Sequence, residues 1–460
     1  MALAVVYALF LLYIVLRLWR KPAQGETEYL VAGRRLTLPA FVASLVSTWY
    51  GGILGVGEYG WKYGLSTWLV FGVPYYLYAL VFALVLARRA RRSLALSPCD
   101  QLELAWGRPA ALIGAAALFV MTAPAAYVLM LGVLIRLATG WPLWLAISLG
   151  TAFSVAYVFR GGLQAVVTTD RVQFVLMFAA FLLLVPVCAV KYGGLDWLRA
   201  NLPPAHLSAD GGLGWQAVAV WYAIAAATLT EPGFYQRCYA ARDERTARTG
   251  ILVSIGFWVL FDALTTTAGL YARAVLPDLA DPVTAFPRLA ADALPGIWLG
   301  LFTVGLLATI MSTVDSYAFL AAITLGRDFL RRWRLPAGGL LAAGDADASI
   351  RAVRWGLLAT AALAVALALW AQSVIVIWKT VGSLGTPVLL LPLLLANLGR
   401  RASGARGQRR TAWAMVLSGA VAGGWLLAGG GRPWLGVEAI FPGLAVSAVM
   451  LLPARRPPAT

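Results

Sequence analysis

The sequence predicts an all-α polytopic membrane protein. About thirteen transmembrane helices include a 5+5 inverted-repeat core, in which each repeat opens on a discontinuous helix. Three observations predict it. Hydrophobic residues fill 61% of the 460 positions and charged residues only 12%, a balance outside the range of soluble globular domains. Apolar windows long enough to cross a bilayer recur along the whole chain. Inside one of them runs Thr309-Ile310-Met311-Ser312-Thr313-Val314-Asp315-Ser316, a set of hydroxyls and a carboxylate at a depth where lipid offers no water.

The windows fall at roughly 2–19, 38–60, 66–87, 110–135, 141–159, 166–190, 214–235, 250–275, 295–325, 353–373, 374–398, 409–429 and 436–453. The first lacks a positively charged n-region and a small-residue cleavage site, so it reads as an uncleaved peripheral span rather than a signal peptide. The boundary near Gln372-Ser373 is the weakest, because two spans nearly touch there. Arginines cluster at Arg34-Arg35, Arg88 to Arg92, Arg237 to Arg248, Arg327 to Arg334 and Arg400 to Arg410. With the N-terminus outside, these connectors all face the cytoplasm, as the positive-inside rule requires. The net charge of +17 is therefore an orientation signal and no nucleic-acid footprint. The expected location is the plasma (inner) membrane, with a cytoplasmic C-terminus.

Three cysteines at wide spacing give neither a disulfide framework nor a transition-metal cluster, and no cofactor is expected. The sole histidine, His206, lies in a polar loop and reads as a solvated side chain. The whole chain, 1–460, reads as one transporter domain. The spans within 36–190 form one set of five and those within 214–398 a second. Five is odd, so the second set runs inverted. The segment 409–454 adds two peripheral spans.

The first helix of set one carries Ser47-Thr48-Trp49-Tyr50-Gly51-Gly52, and that of set two Thr228-Leu229-Thr230-Glu231-Pro232-Gly233. Gly-Gly and Pro-Gly at matching places suit helices broken at mid-membrane, although small residues also serve close helix packing. On a helix, Thr309, Ser312, Thr313 and Ser316 share one face, with Asp315 beside it. Oxygen ligands on one buried stripe suit a hard cation such as sodium. The alternative is that the hydroxyls bond back to their own helix, which leaves Asp315 unexplained.

Four stretches in chain order resemble the sodium:solute symporter family. They are Glu28-Tyr29-Leu30-Val31-Ala32-Gly33-Arg34; Gly161-Gly162-Leu163-Gln164-Ala165-Val166 with Thr169-Asp170 and Gln173; Gln236-Arg237 with Ala240-Ala241; and Met311-Ser312-Thr313-Val314-Asp315-Ser316. The resemblance implies the leucine-transporter-type fold, a ten-helix core with three peripheral helices. It also implies a sodium site built from carbonyls near Leu45 and Thr48 together with Thr309, Ser312 and Thr313. Thr309 stands where the family usually has alanine, and only its carbonyl is needed. A second sodium site present in some members would map onto Asp170, Ser312, Asp315 and Ser316. Asp315 stands where the sialic acid transporters have serine, and a pairing of Asp170 with Arg171 is the structural alternative.

The substrate cavity implied by the resemblance holds Gly51, Gly52, Glu231 and Lys379. Glu231 and Lys379 replace the asparagine and glutamine that contact substrate in sodium/galactose symporters. They would either form an ion pair or recognise a charged solute, with Lys379 taking a carboxylate. Asp262 is a third buried acid without a chosen role. Trp49, Tyr50, Trp61, Trp221 and Tyr222 are candidate gates or interfacial anchors.

The expected function is sodium-coupled symport of a small carboxylate-bearing or zwitterionic solute into the cytoplasm by alternating access. The partners are that solute, sodium and the bilayer, with no nucleic acid and no obligate protein partner. Proton coupling through Asp170 and Asp315, or sodium/sugar symport, are the near alternatives. An intramembrane enzyme would need catalytic groups clustered at one interface, which the short basic loops do not supply. A transporter-like sensor would need a signalling domain.

Overall fold

A computed structural model of the chain describes residues 25–452 apart from 337, 343–344 and 371–373, together with five isolated positions before residue 17. The side chains of 341–342 and 374–379 are also outside this description, so the expected span 2–19 and the side chain of Lys379 are not placed.

The fold is helical. Its main elements are α1 (Leu38–Trp49), α2 (Ile53–Tyr63), α3 (Trp68–Arg92), α4 (Pro98–Trp106), α5 (Arg108–Thr122), α6 (Ala125–Thr139), α7 (Leu143–Lys191) and α8 (Trp215–Ala225). They continue with α9 (Pro232–Ala240), α10 (Glu244–Val275), α11 (Gly296–Arg334), α12 (Ala346–Trp370), α13 (Val374–Asn397), α14 (Gly404–Ala428) and α15 (Ile440–Leu451). Among the described residues, 8 helices have the length and composition to cross a membrane, or 9 with the bent pair α1–α2 taken as one span. In a bilayer, helices satisfy every backbone group within one segment, which is why an apolar chain of this kind adopts them.

The first sequence break is real. α1 and α2 meet at 57° across Tyr50-Gly51-Gly52. The second break lies between α8 and α9, where Ala226–Thr230 tightens into a 3-10 turn and Glu231 becomes extended before Pro232. Pro232 supplies no N–H there, and the Glu231 carboxylate accepts from Gly233 N at 3.3 Å to cap α9.

Two expected spans, 141–159 and 166–190, emerge as the single long α7, kinked at Gly162 with φ 55° and ψ −143°. A Cβ at Gly162 would lie 2.2 Å from Tyr29 O, so only glycine fits both the angle and the space. Tyr29 Oη in turn donates to Phe159 O at 3.1 Å. The motif stretches therefore lock onto one another. Leu36 N donates to Ala240 O at 3.0 Å, Arg242 N to Leu36 O at 3.1 Å, and Arg34 Nη1 to Tyr239 O at 3.1 Å.

Two sequence expectations change. His206 is buried rather than solvated: its Nε2 meets Trp61 O at 2.9 Å, in a loop packed on the end of α2. Burial, reinforced by the Arg273 guanidinium, holds its imidazole below the usual histidine value. Arg327 and Arg332, read from sequence as part of a connector, are buried in an ion-pair cluster. Arg327 pairs with Glu26 at 2.7 Å, Asp100 at 2.9 Å and Asp328 at 2.8 Å. Arg332 pairs with Asp100 at 2.6 Å and Glu103 at 2.9 Å. Charges at this depth persist because each has a partner of opposite sign.

Candidate functional site: a helix crossing and an aromatic cavity

The bend between α1 and α2 frees backbone carbonyls, and α11 crosses it there. Thr313 Oγ1 donates to Thr48 O at 2.7 Å across the crossing. Gly51 sits against the same side chain, and a Cβ there would lie 2.2 Å from Thr313 Cβ. Gly51→Ala would push α11 off the bend. We expect it to cost roughly 1–3 kcal/mol of stability and to disturb ion binding, read as melting temperature with and without sodium.

The expected sodium residues Leu45, Thr48, Thr309, Ser312 and Thr313 are all buried on α1 and α11. Thr309 Oγ1 bonds back to Gly305 O at 2.7 Å, the local pattern common for threonine in membrane helices. Ser312 does not: its buried hydroxyl engages the Asp170 carboxylate rather than a carbonyl of its own helix. A buried hydroxyl beside a carboxylate, next to a bend that frees carbonyls, suits a hard, oxygen-seeking cation. The donor set is carbonyls and hydroxyls, which fits sodium.

The residues expected at a second ion site are separated into two arrangements. Asp170 and Ser316 join a network around Arg237, which is fully buried on α9. Arg237 donates to Ser44 Oγ at 3.0 Å, Thr48 Oγ1 at 3.0 Å and Ser316 Oγ at 2.7 Å. Its Nη2 lies 3.7 Å from Asp170 Oδ2, which also accepts from Ser44 at 2.5 Å. Asp170 therefore pairs with Arg237 instead of Arg171, and its Oδ1 has no hydrogen-bond partner. Asp315 turns the other way and accepts from Ser154 and Tyr157 of α7. Sequence reasoning gave Arg237 no role beyond a motif position. Its guanidinium reaches α1, α7 and α11, contacts that only folding brings together.

Beyond the bend lies a cavity of about 190 Å³. α1 contributes Trp49 and Tyr50 to its wall, and α3 contributes Tyr75. Tyr127 of α6, Trp221 of α8 and Tyr317 of α11 close the other sides. The rings brace one another edge to face, with centroids 5.4 Å apart for Trp49–Tyr75 and 5.1 Å for Tyr127–Tyr317. Of the expected substrate residues, Gly52 and Glu231 line this cavity, while Gly51 lies under Thr313. Lys379 belongs to α13 three residues before Gly382, another lining position. Asp262 also lines it and accepts from Tyr76. Of the candidate gates, Trp49, Tyr50 and Trp221 face the cavity, whereas Trp61 anchors to Leu276 O at 2.8 Å.

The profile of the sodium:solute symporter family matches residues 29–405. The chain belongs to this family. A sodium/pantothenate symporter of Haemophilus influenzae is 28% identical over 167 residues, covering 35% of this chain and 34% of the relative. Sodium-coupled monocarboxylate transporter 1 of Xenopus laevis is 24% identical over 347 residues, covering 66% of this symporter-family chain and 53% of the relative. The matched stretches thus span between a third and a half of these relatives. A sodium-coupled sialic acid symporter, solved substrate-bound and outward-open, aligns with a TM-score of 0.77 at 14% identity over 98% of this chain and 95% of that one. The nucleobase-cation-symport-1 family transporter Mhp1, in a closed conformation with bromovinylhydantoin bound, aligns with a TM-score of 0.61 at 14% identity, covering 94% of each chain. These likenesses establish the leucine-transporter-type fold of a multi-pass membrane protein.

Proposed function

We propose that this chain is a secondary active transporter that couples one sodium ion to uptake of a small organic solute by alternating access. The observation that carries the reading is the α1–α11 crossing itself, where Thr313 bonds Thr48 O beside the buried Ser312 hydroxyl and the Asp170 carboxylate it engages. A cation held there by both helices would favour the arrangement in which they meet, and so raise affinity for a solute bound to that arrangement. The two five-helix repeats, 36–190 and 214–398, would rock about this point. The membrane is the plasma (inner) membrane, with the N-terminus outside and the C-terminus cytoplasmic.

A single sodium is our assignment because Arg237 already supplies the positive charge at Asp170 and occupies the Ser316 hydroxyl. Carboxylate-bearing or zwitterionic solutes are the favoured class. The named relatives are a sodium/pantothenate symporter and a sodium-coupled monocarboxylate transporter, and Lys379 is the residue we assign to receive a carboxylate. Proton coupling is the second reading, favoured by Asp315, which is buried with hydroxyl partners and no ion pair among the described residues.

Uptake into proteoliposomes separates the two. An inward sodium gradient should drive accumulation while a pH gradient alone should not, and Ser312→Ala should raise the sodium requirement roughly tenfold or more, about 1.4 kcal/mol. Accumulation driven by pH and indifferent to sodium would remove the sodium reading. Lys379→Ala should abolish the solute response and leave sodium stabilisation intact.

A further inference from the structure

The cavity beyond the bend holds two carboxylates, and neither makes an ion pair among the described residues. Glu231 accepts from Gly233 N and engages the Tyr317 hydroxyl. Asp262, on α10, accepts from Tyr76 and is only 6% exposed. No lysine or arginine is among the described residues that line the space. Carboxylates at membrane depth are costly and mark functional sites; Arg237, which is not among the lining residues, attracts Glu231 from outside the cavity, and the Tyr76 and Tyr50 hydroxyls serve Asp262. The walls agree with that sign. Trp49, Tyr75, Tyr127 and Trp221 present aromatic rings, whose faces are electron-rich and attract a positively charged nitrogen. Thr228, 2% exposed, lines the same cavity, and its hydroxyl has no hydrogen-bond partner. That hydroxyl is a polar contact still to be made.

We infer that the solute carries a positively charged nitrogen, held by Glu231 and Asp262 among the cavity's aromatic rings, with the Thr228 hydroxyl as a further contact. The inference rests on this cavity being the solute site proposed above. It narrows the solute class to zwitterions: amino acids or betaines rather than simple monocarboxylates. The acids enforce selectivity, because a neutral group of the same shape would fill the cavity and bring them no opposite charge.

The test uses matched probes on the purified full-length chain, in sodium, with thermal stabilisation as the readout. Alanine is compared with lactate, which replaces the ammonium by a hydroxyl. Glycine betaine is compared with tert-butylacetic acid, which replaces the quaternary nitrogen by carbon. The nitrogen-bearing member of at least one pair should stabilise at a concentration roughly tenfold lower than its partner. Glu231→Gln and Asp262→Asn should each erase that preference while the stabilisation by sodium alone remains. Equal or stronger stabilisation by lactate and tert-butylacetic acid would overturn the inference, as would a preference that survives both substitutions. The probe pairs need no variant, so the comparison stands even if a substituted chain does not fold. Failure of sodium-driven uptake would strike the transport reading instead, and the probe comparison does not depend on it.

Discussion

Arg237→Met is expected to destabilise the sodium-free protein by about 3–5 kcal/mol, the range for removing one partner of a buried ion pair. The guanidinium is fully buried and serves hydroxyls of Ser44, Thr48 and Ser316 as well as the Asp170 carboxylate. Without it, Asp170 stays charged in a dry core or must take up a proton. The double variant Asp170→Leu/Arg237→Met should recover much of the loss, because it removes both charges together. Melting temperatures of the singles and the double in detergent supply the cycle. If the single variant melts like the parent protein, Arg237 is not the cation that neutralises Asp170. The same variant has a second readout. It vacates the space beside Asp170 and Ser316, so sodium should stabilise it more than it stabilises the parent.

Arg327→Met should be comparably damaging, at about 3–5 kcal/mol, for a different reason. Arg327 ties together three segments through Glu26, Asp100 and Asp328. Arg332, which already serves Asp100, Glu103 and Asp328, would be left as the ion-pair partner of Asp100 and Asp328 among the described residues. The exposed pair Arg92–Glu244 is the control. Its separation of 2.7 Å is as short as that of Arg327–Glu26, yet solvent screens it, so Arg92→Met should change the melting temperature little. Equal effects at the two arginines would show that burial does not strengthen the cluster.

Much of this architecture is legible in the sequence, because membrane helices follow hydropathy and the breaks follow backbone chemistry. Gly51-Gly52 and Glu231-Pro232-Gly233 announce interruptions through residues that cannot hold or continue a helix, and the chain bends or tightens at both. The hydroxyl stripe of α11 is likewise visible from its spacing, and Thr313 and Ser312 sit where that spacing puts them. What spacing does not give is which distant helix supplies a partner. Asp315 lies on the expected face but bonds to Ser154 and Tyr157, more than 150 positions earlier in the chain. Arg237 has the same character: its reach to α1, α7 and α11 is a property of tertiary packing. The kink at Gly162 escaped because its cause is a carbonyl of Tyr29 brought close by folding. Arg327 and Arg332 read as solvated because an arginine run gives no sign that acidic side chains will close over it.

The two interruptions differ in one chemical respect. Around the first, Ile53 N still donates to Tyr50 O and Val56 N to Gly52 O, so the elbow keeps its amide protons. Around the second, Pro232 has none to give. The glycine pair leaves the first elbow's backbone angles unrestricted by a side chain, whereas the ring of Pro232 fixes its own φ at the start of α9. The two interruptions are thus held by different means: the first by backbone hydrogen bonds across Tyr50-Gly51-Gly52, the second by a proline ring and the Glu231 cap.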